Sequence, residues 1–230
     1  MPGLSKPRAP VAASAPRARL IAIEGAIGAG KTSLARRLAA HLGAELLLEQ
    51  PDDNPFLARF YAEGARHALA TQLCFLFQRI DQFRDLAQPD LFQSGTVADF
   101  LFDKDPLFAR LTLSDDELQL YERIYATLKP QAPLPDLVVF LQAPVSVLQA
   151  RIERRSRPYE RSLTEGTGAR YLGSLVDAYN RFFHNYEEAP VFIVNCEHLN
   201  LADNDAHFQL LVDRMTQMRG MREYLNAEDI

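Results

Sequence analysis

Apolar positions along the chain switch repeatedly between contiguous runs and helical spacing. Leu20-Ile21-Ala22-Ile23 is a short apolar run leading into a glycine-rich stretch, and residues 33–42 then carry apolar positions at helical spacing, closed by Gly43. The pattern predicts strand, loop, helix. Glu45-Leu46-Leu47-Leu48 predicts a second strand that ends at Glu49, because Pro51 cannot donate to a sheet ladder. Helical periodicity follows over residues 55–63 and then over 66–86, where Leu69, Leu73, Leu76, Phe77, Ile80 and Phe83 are the apolar positions.

Thr96-Val97-Ala98 is a short third strand. Ser114-Asp115-Asp116-Glu117 has the form of a capping box, opening a helix with Leu118, Tyr121, Tyr125 and Leu128 on one face and Pro130 at its end. Residues 136–141 and 190–194 read as fully buried strands, and Pro144 suits the first turn of the helix between them. Strands alternating with helices predict a parallel sheet covered on both faces.

With 230 residues, 47% of them hydrophobic, the chain can bury one sizeable core. No apolar run approaches the roughly 18 residues of a membrane span, so a soluble protein is expected. Cys74 and Cys196 lack the spacing of a disulfide framework or zinc site, which fits a reducing, cytoplasmic location. The first 19 residues contain Lys6, Arg8, Arg17 and Arg19, no acid, and several Pro, Ala and Ser. They are read as a disordered tail ahead of one domain over residues 20–230. Such a segment also has the charge of a transit peptide, but its four prolines disfavour the required amphipathic helix. Setting the four basic residues aside turns the net charge of −5 into −9 for the remainder, which does not look like a nucleic-acid binder.

One segment carries a specific chemical signal. Gly25-Ala26-Ile27-Gly28-Ala29-Gly30-Lys31-Thr32 is a complete phosphate-binding loop between a predicted strand and helix. In such loops successive backbone N–H groups converge on phosphate oxygens, the lysine bridges the β- and γ-phosphates, and the threonine hydroxyl holds Mg²⁺. The loop is silent about the acceptor. No NKxD-like motif of a GTPase is present. Glu49 falls at the carboxyl end of the second strand, where open α/β sheets bind ligands, within reach of an acceptor hydroxyl. Arg151, Arg154, Arg155, Arg157 and Arg161 crowd into a helix end and loop, as expected of a lid that closes over a triphosphate.

Glu49-Gln50-Pro51, Asp53-Asn54-Pro55-Phe56-Leu57 with Tyr61, and Gln72 with Arg79 seven residues on together resemble the deoxynucleoside kinases, over about residues 20–200. The similarity is greatest to the bacterial branch acting on deoxyadenosine and deoxyguanosine. It implies a three-layer P-loop kinase fold with a five-stranded parallel sheet and an arginine-rich lid, usually as a homodimer. It further implies ATP and Mg²⁺, with Glu49 taking the proton of the nucleoside 5′-hydroxyl and Tyr61 and Glu160 holding the 3′-hydroxyl. Gln72 and Arg79 would form the base pocket. Arg151, Arg155 and Arg157 match the lid arginines, and the loop containing Glu197 matches the adenine-contacting region of the ATP site.

The chain departs from the family in one place. Where many members have an acid-Arg-Ser triplet, it reads Ala98-Asp99-Phe100-Leu101-Phe102-Asp103-Lys104-Asp105. Asp99 then serves as the acid beside Mg²⁺, shifted by one residue. Lys104 supplies the missing charge or, with Asp103, reads the base. The implied activity is phosphorylation of a deoxynucleoside, with deoxypurines favoured. Two alternatives are a nucleoside monophosphate kinase such as a thymidylate kinase, and an ATP-binding regulatory protein without catalysis.

Overall fold

The computed structural model describes residues 20–86 and 95–226. The expected N-terminal tail lies outside them. Six strands form one all-parallel sheet: β1 (Leu20–Gly25), β2 (Glu45–Leu47), β3 (Thr96–Ala98), β4 (Leu137–Gln142), β5 (Val191–Asn195) and β6 (Arg222–Leu225). Their spatial order is β2-β3-β1-β4-β5-β6. All six residues of β1 are buried, as are four successive residues of β4, Val138, Val139, Phe140 and Leu141. A strand whose two faces are both dry needs helices on each side, so these segments show no polar alternation.

The sheet has six strands rather than five. Strand β6 has a single buried residue, Leu225, and reaches the sheet through backbone pairing with β5, such as Ile193 opposite Tyr224. Nothing in Arg222-Glu223-Tyr224 marks a strand by hydrophobicity.

The helices are α1 (Lys31–Leu42), α2 (Leu57–Glu63), α3 (Ala68–Leu86), α4 (Asp105–Thr112), α5 (Asp115–Leu128), α6 (Val145–Arg155), α7 (Gly166–His184) and α8 (Asp205–Gln217). The backbone N–H of Ser114 donates to the Glu117 carboxylate at 3.0 Å, closing the predicted box at the start of α5. Phe140 of β4 stacks on Phe183 of α7 with centroids 4.2 Å apart, and Tyr179 continues the stack. Among the described residues no helix is long and apolar enough to cross a membrane.

Strand order reverses around β1, so the crevice beyond its carboxyl end is the natural ligand site. Gly28 there has φ +86°, and a β-carbon on it would stand 2.9 Å from the Leu148 carbonyl oxygen of α6. Gly28→Ala is therefore expected to lower stability by about 1–3 kcal/mol, measured by urea unfolding.

Candidate active site

Residues 25–30 wrap the end of β1, and Gly30, at φ 100°, opens α1 so that its first N–H groups face the loop. Lys31 Nζ donates to the carbonyl oxygens of Gly25 at 2.8 Å and Ala26 at 3.4 Å, placing its charge inside the cradle. Burial lowers its pKa, against the raising effect of Glu24, Glu49 and Asp99. The Thr32 hydroxyl donates to Asp99 Oδ2 at 2.6 Å, while Asp99 Oδ1 accepts the Glu49 backbone N–H at 2.6 Å. Asp99 thus ties the ends of β2 and β3 to the phosphate loop. Burial pushes its carboxyl up, which a divalent cation sharing its oxygen with Thr32 would relieve, so these two oxygen ligands fit Mg²⁺.

Glu49 sits in a web of buried charge. Its Oε1 receives Arg79 Nε at 3.1 Å and lies 3.3 Å from Lys104 Nζ. Arg79 also pairs with Asp105, and Lys104 Nζ lies 3.2 Å from Glu24 Oε2. Burial alone would raise the Glu49 carboxyl, but Lys104, Arg79 and Lys31 together hold it well below the usual carboxylate range. Glu24, fully buried, accepts the backbone N–H of Gly25 (2.8 Å) and of Leu101 (2.9 Å) and the Tyr179 hydroxyl (2.9 Å). Glu24 and Asp105 were not singled out by sequence. A buried acid inside an apolar strand, one residue before a phosphate loop, is the signal that marks Glu24 in hindsight.

Glu49, Tyr61, Gln72, Arg79, Lys104 and Glu160 all line one cavity of about 510 Å³. Gln72 is 4% exposed, and no hydrogen bond to another described residue engages its amide. A second cavity of about 400 Å³ lies over the loop and is lined by Arg151, Arg154, Cys196 and Asn200. Gly28, Lys31, Thr32 and Arg155 line both, so the two share a floor and one arginine. Helix α6 ends at Ser156, in the left-handed region with φ 55°, and a 3-10 segment, Pro158–Thr164, crosses the first cavity. Arg155 and Arg157 of this lid both pair with Glu160, the latter at 3.6 Å. Arg151 does not project with them: it donates to the carbonyls of Ala29 at 3.2 Å and Cys196 at 2.8 Å, bracing the second cavity.

Two sequence-derived positions fall elsewhere. Asp103 is not in the acceptor cavity, because successive residues of the 3-10 turn Phe102–Lys104 point in directions about 120° apart. It accepts from Tyr125 at 3.3 Å and Tyr186 at 3.2 Å and pairs with Lys129 at 3.2 Å, on a different cavity. A base-reading role for Asp103 does not fit this placement. Glu197 is exposed and does not line the second cavity, although its neighbours Cys196 and Asn200 do. An Asn195 side chain accepting the Glu197 N–H at 3.0 Å turns the chain there. A nucleoside monophosphate kinase would need basic side chains for the acceptor's own phosphate. Of the arginines in the segment 54–84, Arg59, Arg66, Arg79 and Arg84, only Arg79 lines the acceptor cavity, and it is consumed by Glu49 and Asp105. An acceptor bearing its own phosphate would find little free charge among them.

A polyphosphate on the loop and a small molecule beside Glu49 would meet over Lys31, Thr32 and Arg155, and this arrangement defines a P-loop phosphotransferase. Residues 21–218 match the family described as Deoxynucleoside kinase, and the chain belongs to that family. It is 35% identical over 173 residues to the deoxyguanosine kinase of Bacillus subtilis, covering 75% of this chain and 82% of that one. It is 25% identical over 213 residues to the deoxyadenosine/deoxycytidine kinase of the same organism, covering 88% and 94%. A solved structure of deoxyadenosine kinase from M. mycoides with bound dATP superposes with a TM-score of 0.73 at 22% identity, covering 86% of this chain and 99% of that one. That likeness speaks for the fold alone.

Proposed function

We propose that the protein transfers the γ-phosphoryl group of ATP to the 5′-hydroxyl of a deoxynucleoside, preferentially a deoxypurine, to form the 5′-monophosphate for nucleotide salvage. The observation that carries this reading is Glu49 lining the acceptor cavity beside the phosphate loop, its carboxylate flanked by Arg79 and Lys104. A carboxylate held so far below its ordinary pKa is a weak base, which suits a loose transition state in which the hydroxyl loses its proton late. Glu49 aims the hydroxyl and takes the proton as the new bond forms. Lys31 and Arg155 meet the charge that develops on the phosphoryl oxygens, with Arg157 held beside Arg155 by Glu160. Arg151 braces the donor side.

Tyr61 and Glu160 take the sugar 3′-hydroxyl. Gln72 offers a donor and an acceptor to the base edge, with Arg79 beside it in the same cavity. Lys104 provides the cation that the acid-Arg-Ser arginine provides elsewhere in the family. Thr32 and Asp99 would hold Mg²⁺, which would supply charge neutralisation to the donor phosphates. A cytoplasmic homodimer completes the reading. The deoxypurine preference is supported by relatives named as deoxyguanosine and deoxyadenosine kinases.

The test is ADP formation by purified protein with Mg·ATP and each of the four common deoxynucleosides. Stimulation by deoxyguanosine or deoxyadenosine above the pyrimidines is expected. No stimulation by any of them sinks the assignment.

A further inference from the structure

The lid segment is pinned at its back. Glu160 and Leu163 are buried, and the first turn of α7 lies so close behind that a β-carbon on Gly168 would sit 1.8 Å from the Ser162 carbonyl oxygen. The front of the segment packs against α2 on the opposite wall. Tyr159 stacks on Tyr61 of α2, with ring centroids 5.8 Å apart and planes 12° from parallel. Its hydroxyl donates to Asp52 Oδ1 at 2.7 Å. Asp52 lies in the 3-10 turn Pro51–Asp53, three residues after Glu49. Burial and the Asp52 contact push the Tyr159 hydroxyl up to about 12, so it remains a donor at any working pH.

The same segment carries the charge. The Arg157 guanidinium lies 6.0 Å from the centre of the Tyr159 ring, and Glu160, the next residue, pairs with Arg155 and Arg157. At the other end, Ser156 is the one non-glycine residue among those described with a left-handed φ, which makes it the natural hinge. A movement of Tyr159 away from Asp52 would therefore carry Arg157 with it and disturb the Glu160 carboxylate that holds Arg155 at the end of α6.

We propose that Tyr159 and Asp52 form a clasp across the mouth of the acceptor cavity. It holds Arg155 and Arg157 over the phosphate loop and keeps water from the donor phosphate during transfer. Resting on the kinase reading above, both are positioning residues: neither touches the reacting atoms. The contact joins the lid to the turn that follows Glu49, so a filled acceptor site and a closed lid reinforce each other.

Trypsin tests the clasp in the full chain without ligands, because Arg154, Arg155 and Arg161 offer cleavable bonds while Pro158 protects the one after Arg157. Tyr159→Phe keeps the stacked ring and removes only the hydroxyl. It is expected to speed nicking at these bonds, identified by mass spectrometry, about fivefold, the factor one such hydrogen bond supplies. Asp52→Ala is expected to do the same, and the double variant to be no faster than either single one. Asp52→Asn keeps an acceptor oxygen and restores slow nicking, which separates the clasp from general destabilisation.

In turnover with ATP and deoxyguanosine, Tyr159→Phe is expected to raise the acceptor KM several-fold and to release more than one ADP per monophosphate formed. Nicking within twofold of wild type in both single variants, or additive effects in the double, overturns the clasp. A wild type that forms no ADP with any deoxynucleoside overturns the kinase reading instead, and the nicking rates still decide the clasp.

Discussion

Glu49→Gln is expected to lower kcat by roughly 10²- to 10⁴-fold while leaving ATP binding within about threefold of wild type, the loss a general base typically causes. The substitution keeps the shape and one oxygen acceptor, so Arg79 retains a hydrogen-bond partner. What disappears is the negative charge proposed to orient the hydroxyl and receive its proton. Arg79 and Lys104 are then left with less compensation, which adds a stability cost that thermal melting would register. Steady-state kinetics beside ATP titration separates the two effects. Activity retained within a few-fold would remove Glu49 as the base.

The second large effect is expected at Lys104, which is 2% exposed between two carboxylates. Lys104→Met fills similar space without charge, leaving Glu24 fully buried without its ion-pair partner, in the field of Lys31 alone, and Glu49 with Arg79 and Lys31 only. A stability loss of about 3–5 kcal/mol is expected for stranding a buried charge, and kcat is expected to fall on the order of 10²-fold. The pH profile gives the sharper readout. Burial pushes the Glu49 carboxyl up and its cations pull it down, so removing Lys104 moves its pKa upward. The acid limb of kcat/KM, expected below the ordinary carboxylate range in the wild type, is expected to shift to higher pH in the variant.

Folding stability follows the same sign. A depressed carboxylate stabilises the fold above its unfolded pKa, and that contribution is lost as pH falls through the folded value, which is higher in Lys104→Met. An unshifted acid limb would show that Lys104 does not act on Glu49.

How much of this was legible in the sequence depends on how each feature is encoded. The phosphate loop is contiguous, and its glycines are required by backbone geometry, so residues 25–32 could be read directly. Strands β1, β4 and β5 are dry on both faces and stand out as apolar runs. Strand β6 is held by backbone hydrogen bonds at the sheet edge, and hydrophobicity cannot reveal it. The grouping of Glu49, Tyr61, Gln72, Arg79 and Glu160 came from family spacing, because residues that meet only after folding share no local period. Asp103 and Lys104 show the limit of that approach. They are adjacent in sequence, yet one 3-10 turn sends Lys104 toward Glu49 and Asp103 toward Tyr125 and Tyr186. Asp105 was missed for the converse reason: its meaning lies in a buried pairing with Arg79, 26 positions away.

Phe100 and Leu101, the two residues after Asp99, are both buried, with Phe100 packed against Phe83 at 5.3 Å between centroids. An arginine placed at position 100 would enter this aromatic cluster within reach of Arg79, whose guanidinium already lies 5.9 Å from the Phe100 ring. The two ways of supplying a cation to Glu49 thus compete for the same space. Grafting the usual triplet into this chain without altering Lys104 would consequently weaken the enzyme.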